Sequence, residues 1–261
     1  FRGGYLADVA VLCDRPVDEI ETLARRFEAE VAADPQAYGW MFGGEIVAPA
    51  VVDPYLRMMP VARKVFDHYG RFPDATDRDR LLDGILYKYN YPKTKTAFRA
   101  GARELLVAVD GPGTFVVTNS HTEPVQDKIR ALSALGTPPD ALHGLVAKVW
   151  GRARKYVLDD TWDAVPVSLA VPGLARPIRL RRRLYGEVLD GLRRGAGAAW
   201  SEVTVVGDIF ELDLALPLAL GARVGLVTNA HTPQYERDYL AGHPRGAVLA
   251  DLGAVGRWLA G

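Results

Sequence analysis

The sequence contains a single cysteine, Cys13, among its 261 residues. No intrachain disulfide can form, so a disulfide-stapled secreted scaffold is excluded and a reducing, cytoplasmic compartment is expected. Neither charge is in excess, since Lys plus Arg and Asp plus Glu both total 32. A chain without net charge lacks the long-range attraction on which nucleic-acid and membrane-surface binding depend. We therefore expect no nucleic-acid partner.

Long apolar runs and two familiar ligand signatures are also missing. No stretch approaches the roughly 20 uncharged apolar residues that span a bilayer, so no membrane partner is expected. No Gly-x-Gly-x-x-Gly follows a predicted strand, which leaves a dinucleotide-binding fold without support. His68, His143 and His243 show no metal-ligand spacing. With 49% hydrophobic and 25% charged residues, the chain still has enough apolar side chains to build a core, so a globular protein remains.

The pattern of apolar residues changes near residue 97. Before it, the spacing predicts helices, for example over Asp18–Ala33, and no convincing series of strands. From residue 98 onward, short apolar runs typical of buried strands alternate with amphipathic helical segments. This alternation predicts an α/β fold with a mostly parallel sheet covered on both faces, in which ligands bind at the carboxyl ends of the strands. We predict two domains, 1–97 and 98–261.

The first candidate site follows the apolar run Val203–Val206. Gly207 and Asp208 come next, and Asp213 lies five positions further on. At the end of a parallel strand, two carboxylates would supply the oxygen ligands that Mg²⁺ prefers. Asp208 can equally cap the following helix, since Asp is a common N-cap residue. From the residues alone, both interpretations stay open.

A second candidate site follows the run Thr114–Val117. The Thr118-Asn119 pair offers a hydroxyl and backbone N–H groups, which can cradle a phosphate where a strand end faces a helix start. The same residue types also make an ordinary strand-to-helix turn. A nearly identical stretch recurs at Thr228-Asn229, so the local sequence does not distinguish the two turns.

Together and in this order, the Thr118-Asn119 and Gly207-Asp208 stretches resemble the second and fourth motifs of the haloacid dehalogenase-like (HAD) superfamily, most of whose members are phosphatases. The resemblance covers roughly residues 98–252, and the fourth motif is its most specific part. It implies a Rossmann-like three-layer core over residues 98–261, with a helical cap inserted after the first core strand. Residues 1–97 would be that cap.

The third motif of the family is a lysine that neutralises charge on the phosphoryl group, and three residues are candidates for it. Arg176 stands at the expected place and Arg179 follows closely, whereas Lys155 keeps the residue type but lies farther from Asp208. Arginine grips phosphate through two donors, although it is bulkier than lysine. We take Arg176 as the leading candidate, and we expect most arginines of the run 179–183 to lie on a solvated helix face.

The first motif of the family, an apolar strand ending in Asp-x-Asp whose first aspartate attacks phosphorus, has no match in the chain. The nearest stretch places Asp14 after an apolar run, but Pro16 occupies the position of the second aspartate. The apolar residues of this stretch also fit a helical face, with Asp14 as a cap for the next helix, and we favour this interpretation. We therefore expect a strand with the aspartate pair to precede Phe1 in the natural protein.

The function that the resemblance implies is a Mg²⁺-dependent phosphoric monoester hydrolase that acts on a small phosphorylated substrate through an aspartyl-phosphate intermediate. Thr118 and Asn119 would bind the phosphoryl group, Arg176 would neutralise it, and Asp208 and Asp213 would hold Mg²⁺. The alternative is a non-catalytic HAD-like domain that binds a phosphorylated ligand or a protein partner. A haloacid dehalogenase is a third hypothesis, although such an enzyme has no use for a pair of metal-binding carboxylates.

Overall fold

The change of sequence pattern near residue 97 coincides with a division of the structure. The computed structural model describes residues 1–90 and 97–261, and the chain separates into two units, Phe1–Ala97 and Phe98–Gly261. We refer to them as the N-terminal unit and the C-terminal unit. None of the helices in the described ranges combines the length and the apolarity that a membrane crossing demands.

The described residues of the N-terminal unit form helices around one hairpin. The helices are α1 (Arg2–Cys13), α2 (Val17–Ala33), α3 (Pro54–His68) and α4 (Ala75–Asn90), and the strands are β1 (Gly39–Phe42) and β2 (Glu45–Pro49). β1 pairs antiparallel with β2. The helix predicted over Asp18–Ala33 is confirmed by α2. Apolar side chains of α1, α2 and α3, among them Tyr5, Ile20 and Phe66, are fully buried in a core of this unit.

The hairpin is the element that the helical pattern does not predict. Gly43 and Gly44 form its turn with φ of 59° and 83°. Two-residue hairpin turns require this left-handed conformation, which glycine adopts without strain. The Gly-Gly pair is therefore the sequence signal for this hairpin.

The stretch around Asp14 is helical and contains no strand. Asp14 is the first residue beyond α1, with φ of 55°, and its N–H donates to Val11 O at 3.2 Å. α2 begins at Val17 after Pro16, and no side chain caps it. Asp14 therefore ends α1 instead of capping α2, which corrects the predicted capping role. It also does not follow a strand, as a nucleophile of the family type would.

Helices and short strands alternate in the C-terminal unit. The helices are α5 (Ala102–Val109), α6 (Thr122–Ser133), α7 (His143–Val146), α8 (Arg183–Gly195), α9 (Ala215–Ala219), α10 (Gln234–Ala241) and α11 (Leu252–Ala260). The strands are β3 (Val116–Val117), β4 (Val149–Trp150), β5 (Ser168–Leu169), β6 (Ile178–Arg179), β7 (Thr204–Gly207), β8 (Arg223–Val227) and β9 (Gly246–Leu249). A π-helical turn, Phe210–Leu214, follows β7.

The strands of the C-terminal unit form separate short sheets. β7, β8 and β9 make a parallel sheet in that order, β3 and β4 make a parallel pair, and β5 and β6 an antiparallel pair. The mixed α/β class predicted from the alternating pattern is confirmed, with short sheets of which some are parallel. A single Rossmann-like three-layer core stays a prediction.

β8 is the best-buried strand of the unit. Val224 and Leu226 are fully buried, and a Cβ on Gly225 would lie 2.8 Å from side-chain atoms of both Leu249 and Trp258. Only glycine lets β9 and α11 approach β8 this closely. By contrast, Val206 on the neighbouring strand β7 is 37% exposed.

This contrast gives a stability test. We expect Leu226→Ala to lower the free energy of unfolding by about 2–5 kcal/mol, because it removes fully buried apolar atoms and leaves a cavity that the surrounding side chains fill only in part. Val206→Ala, at a partly solvated position, should cost about 1 kcal/mol or less. Urea unfolding followed by circular dichroism measures both. Equal shifts of the two midpoints would contradict the burial that we describe for β8.

Candidate functional site

Lys155 lies at the centre of the candidate site. Its Nζ is 2.9 Å from Asp213 Oδ1, and the side chains of the two residues are only 11% and 12% exposed. Burial by itself lowers the pKa of Lys155, but the Asp213 carboxylate, together with Tyr185 and Asp208, raises that pKa above its ordinary value of 10.5. Lys155 is therefore a buried cation that stays protonated at physiological pH.

The loop after β3 is tied to the main chain of Lys155. Asn119 Oδ1 accepts a hydrogen bond from Lys155 N at 2.8 Å, and Thr118 N donates to Trp150 O at 2.9 Å. The Thr118 hydroxyl oxygen accepts from Ser120 N at 3.1 Å. A hydroxyl that accepts in this way can donate its own proton to an anion.

A glycine at position 151 allows this loop to lie against the end of β4. A Cβ on Gly151 would lie 2.4 Å from Thr122 N and 2.7 Å from Ser120 O. Both are main-chain atoms, so neither can move without moving the loop. Gly151 thus permits the approach that brings Asn119 onto Lys155.

The second Thr-Asn turn contacts its own loop, the neighbouring strand β9 and the helix α10. The Thr228 hydroxyl donates to Leu249 O at 3.2 Å, and Asn229 Oδ1 accepts from His231 N at 2.7 Å. Of the two turns, Thr118-Asn119 is the one that reaches the buried lysine. The tertiary contacts thus distinguish two turns that the local sequence cannot.

The two acidic residues after β7 have different surroundings. Asp208 is half-exposed, and its Oδ2 accepts from Arg99 Nη2 at 3.0 Å. Asp213 is buried, with Oδ1 on Lys155 and Oδ2 accepting from Ile209 N at 3.2 Å. A Cβ on Gly207 would lie 2.6 Å from the Cβ of Asp213. The glycine of the Gly-Asp pair therefore makes room for Asp213.

Two carboxylates supply only part of the six-oxygen set that Mg²⁺ prefers. Among residues 1–90 and 97–261, no group of three or more His, Cys, Asp or Glu side chains could hold a metal ion. Both oxygens of Asp213 already accept hydrogen bonds, whereas Asp208 is half-exposed. Asp208 is thus the candidate ligand, with water or substrate phosphate oxygens completing the octahedral set that Mg²⁺ prefers.

The predicted basic residues lie in different places. Arg176 makes two hydrogen bonds of 2.7 Å to the two carboxylate oxygens of Glu211, which is fully buried. Arg179 pairs with Asp160. Lys155 is the candidate that the structure brings next to a predicted acid of the site. The contacts therefore favour Lys155 over Arg176 for the basic role.

A buried polar network around Arg176 was not apparent from the sequence. The Tyr235 hydroxyl donates to Glu211 Oε1 at 2.5 Å, and Arg182, 1% exposed, donates to Lys155 O at 2.6 Å. Burial lowers the pKa of Arg182 to about 10. The expectation that most of the 179–183 arginines lie on a solvated helix face is therefore wrong. Arg182 is buried, Arg179 lies in β6 with a side chain only 14% exposed, and of these arginines Arg183 alone belongs to α8. An acid such as Glu211 inside an apolar stretch is the sequence signal for such a network.

Comparison with known proteins gives no template for this site. No protein-family model, no curated protein and no solved structure matches the chain. The arrangement around Lys155 is therefore interpreted from its own chemistry.

The carboxyl group of Glu236 on α10 gives a test of the buried network by pH. Burial, together with the nearby Glu211, raises its pKa well above the ordinary value of 4.5. The folded state thus retains a proton that the unfolded chain releases, so the stability of the protein falls as the pH rises above about 4.5. A variant with a side chain at position 236 that cannot ionise does not show this loss of stability.

We therefore expect Glu236→Gln to become increasingly more stable than the natural protein as the pH is raised from about 5 to 8, by up to about 1.4 kcal/mol per pH unit. Urea unfolding at each pH measures the difference, and Glu104→Gln, at an exposed position, is the matched control. A constant difference across this range would show that Glu236 ionises alike in the folded and unfolded states.

Proposed function

We propose that the protein is a phosphoric monoester hydrolase of the HAD-like type. The observation that carries the proposal is the double attachment of Lys155, whose main-chain N–H donates to Asn119 after β3 and whose Nζ pairs with Asp213 after β7. One buried cation thereby joins the ends of two strands that belong to different parallel sheets. These are the two strand ends at which the sequence predicts phosphate binding and acidic chemistry.

Lys155 is the residue to which this proposal assigns charge neutralisation. A buried ammonium interacts more strongly with a phosphoryl group than a solvated one, because the local dielectric constant is lower. Thr118 would donate its hydroxyl proton to a phosphoryl oxygen, and Asn119 would position the lysine. Arg176, held by Glu211, would stabilise the interior of the unit.

The nucleophile in this proposal is an aspartate on the strand expected to precede Phe1. One carboxylate oxygen attacks phosphorus in line, the bond from phosphorus to the leaving oxygen breaks, and the alcohol leaves with a proton from the second aspartate of that motif. Water then attacks the phosphorus of the aspartyl-phosphate, which releases inorganic phosphate and restores the carboxylate. Lys155 balances the negative charge that accumulates in both steps.

The proposal includes a divalent cation, a fold and a location. Mg²⁺, when bound, would screen the repulsion between phosphate and carboxylate, and the half-exposed Asp208 is the residue of this chain that would help to hold it. Residues 98–261 would form the Rossmann-like core, and residues 1–97 would form a helical cap that selects a small phosphorylated substrate in the cytoplasm.

A non-catalytic phosphate-binding domain is the second candidate function. It is favoured by one observation, which is that the 261 residues contain no apolar strand that ends in Asp-x-Asp. In that case, the same cluster around Lys155 would bind a phosphorylated ligand without turnover.

The test of the proposed function replaces the buried lysine. Lys155→Met removes the ammonium but keeps an unbranched side chain of similar length. We expect kcat/KM for a generic phosphomonoester to fall about 10- to 150-fold, because a hydrogen bond to a charged group contributes about 1.5–3 kcal/mol. The assay uses protein expressed from its complete coding sequence, with Mg²⁺ added.

Lys148→Met is the matched control. Lys148 pairs with Asp110 at 2.5 Å and is 20% exposed, but it precedes β4 and so lies at the other end of the strand. A Lys155→Met/Asp213→Asn variant, which buries no unpaired carboxylate, separates loss of activity from loss of folding. Full activity of a folded Lys155→Met protein would refute the assignment. Phosphate binding that depends on Lys155, without any hydrolysis, would select the second candidate.

The two Thr-Asn turns provide a further test within one molecule. Thr118→Val keeps the side-chain shape but removes the hydroxyl that would bond the phosphoryl group, so turnover should fall about tenfold or more. Thr228→Val removes a bond to Leu249 O only and should change turnover little. Steady-state hydrolysis by both variants, with circular dichroism as a folding check, decides the matter. A larger loss of turnover in Thr228→Val than in Thr118→Val would show that the site does not lie at the end of β3.

A further inference from the structure

A cavity of the C-terminal unit lies between β4 and α8. Its volume is about 600 Å³, and pockets that bind small organic molecules typically measure about 300–1,000 Å³. Trp150, Arg152 and Arg154 line it on the β4 side. An aromatic ring and two cations therefore border the same space.

Trp150 presents its ring to this cavity. Val149, the preceding residue of β4, packs into a core with Ile129 and Leu132, and successive side chains of a strand point to opposite faces. Trp150 therefore lies on the other face of β4, where it is 49% exposed. No aromatic ring or cation of the described residues stacks on it. A large exposed aromatic side chain beside a cavity is typical of a binding site.

The two arginines carry positive charge that no carboxylate of the described residues neutralises. Arg152 Nη2 lies 2.9 Å from Nδ1 of His121, which as an acceptor carries no negative charge. Arg154 makes no side-chain hydrogen bond or ion pair with any described residue. Glu187 also lines the cavity, but it pairs with Arg183 at 2.7 Å. The cavity is therefore suited to an anion.

The main chain holds both arginines in an uncommon conformation. The φ angle is 54° at Arg152 and 46° at Arg154, a left-handed region that glycine and asparagine adopt with less strain than arginine. Arg152 N donates to Ser120 O at 2.7 Å, and Ala153 N donates to Thr118 O at 2.9 Å. These bonds fix the loop. Residues held in such strained conformations cluster at ligand sites.

α8 supplies an apolar wall on the opposite side of the cavity. Leu184, Val188 and Leu192 line it at intervals of four residues, which places them on one face of the helix, and all three are only partly buried. A Cβ on Gly191, which also lines the cavity, would have no atom within 4 Å. Gly191 thus leaves open space beside the apolar wall.

We propose that this cavity binds a nucleotide. The base stacks on Trp150 and lies against the apolar wall of α8, and the phosphate groups bond to the guanidinium groups of Arg152 and Arg154. Base–aromatic stacking and two-donor arginine contacts with phosphate are general modes of nucleotide recognition. The ligand is a free nucleotide, because a chain without net charge lacks the long-range attraction that a polynucleotide backbone requires.

The nucleotide site is separate from the cluster around Lys155. Thr118, Lys155 and Asp208 do not line this cavity. The site therefore does not depend on the proposed hydrolase activity, and its test measures binding alone.

Isothermal titration calorimetry with ADP, in buffer that contains EDTA, tests the proposal. Adenosine and inorganic pyrophosphate should each bind at least about tenfold more weakly than ADP, because each makes one of the two kinds of contact. Trp150→Ala should raise the Kd of ADP about 5- to 150-fold through lost stacking. Arg152→Asn and Arg154→Asn should each raise it about tenfold, since asparagine keeps the left-handed backbone and removes the charge.

Two glycines of α8 give a matched steric pair. Gly191→Leu fills the cavity from the helix side and should abolish ADP binding. Gly195→Leu places the same side chain at an exposed position of the same helix, where a Cβ also has no atom within 4 Å, and should leave the Kd unchanged. Circular dichroism checks that both variants fold.

Four results would overturn the proposal. They are no measurable binding of ADP, equal affinity of the natural protein and Gly191→Leu, pyrophosphate binding as tight as that of ADP, and tighter binding of a ten-residue oligoadenylate than of ADP. Thr118→Val should bind ADP like the natural protein. A loss of affinity in Thr118→Val as large as in Trp150→Ala would place the nucleotide in the cluster around Lys155 and refute the separate site.

Discussion

The ion pair between Lys155 and Asp213 is the interaction on which the organisation of the C-terminal unit depends. Removing one partner of a buried pair costs about 3–5 kcal/mol, because the other charge is left without compensation. Here both charges are nearly inaccessible. The main-chain N–H of Lys155 also donates to Asn119, and the second carboxylate oxygen of Asp213 accepts from Ile209 N. The pair therefore fixes the distance between the ends of β3 and β7, two strands that belong to different sheets.

A second buried network supports the first. Glu211 accepts from Arg176 and from Tyr235, and Arg182 holds the Lys155 carbonyl. Buried cations lie next to buried anions in this network, as in the pairs Lys155–Asp213 and Arg176–Glu211. Most of the charges that folding removes from water therefore have a partner. Glu236 is the exception, since burial and Glu211 keep its pKa high. Proton uptake replaces a counter-ion at that position.

Part of the candidate site could be predicted from the sequence, because strand ends carry local signals. Thr118, Asn119 and Asp213 follow short apolar runs, and the structure joins Asn119 and Asp213 through one lysine. The choice of that lysine could not be predicted. The sequence distinguishes Arg176, Arg179 and Lys155 only by residue type and by distance along the chain, whereas their roles depend on which acid lies within about 3 Å. The buried acceptor Glu211 takes Arg176, and this contact spans 35 residues of sequence.

The sequence by itself determined the division near residue 97, the helix α2 and the alternation of helices and strands beyond it, because apolar periodicity and turn residues act over a few neighbouring positions. Only the tertiary structure decided that the parallel strands lie in two short sheets and that Thr118 is distinguished from Thr228. These outcomes depend on contacts between residues far apart in the chain, whose desolvation and hydrogen bonding have no local pattern.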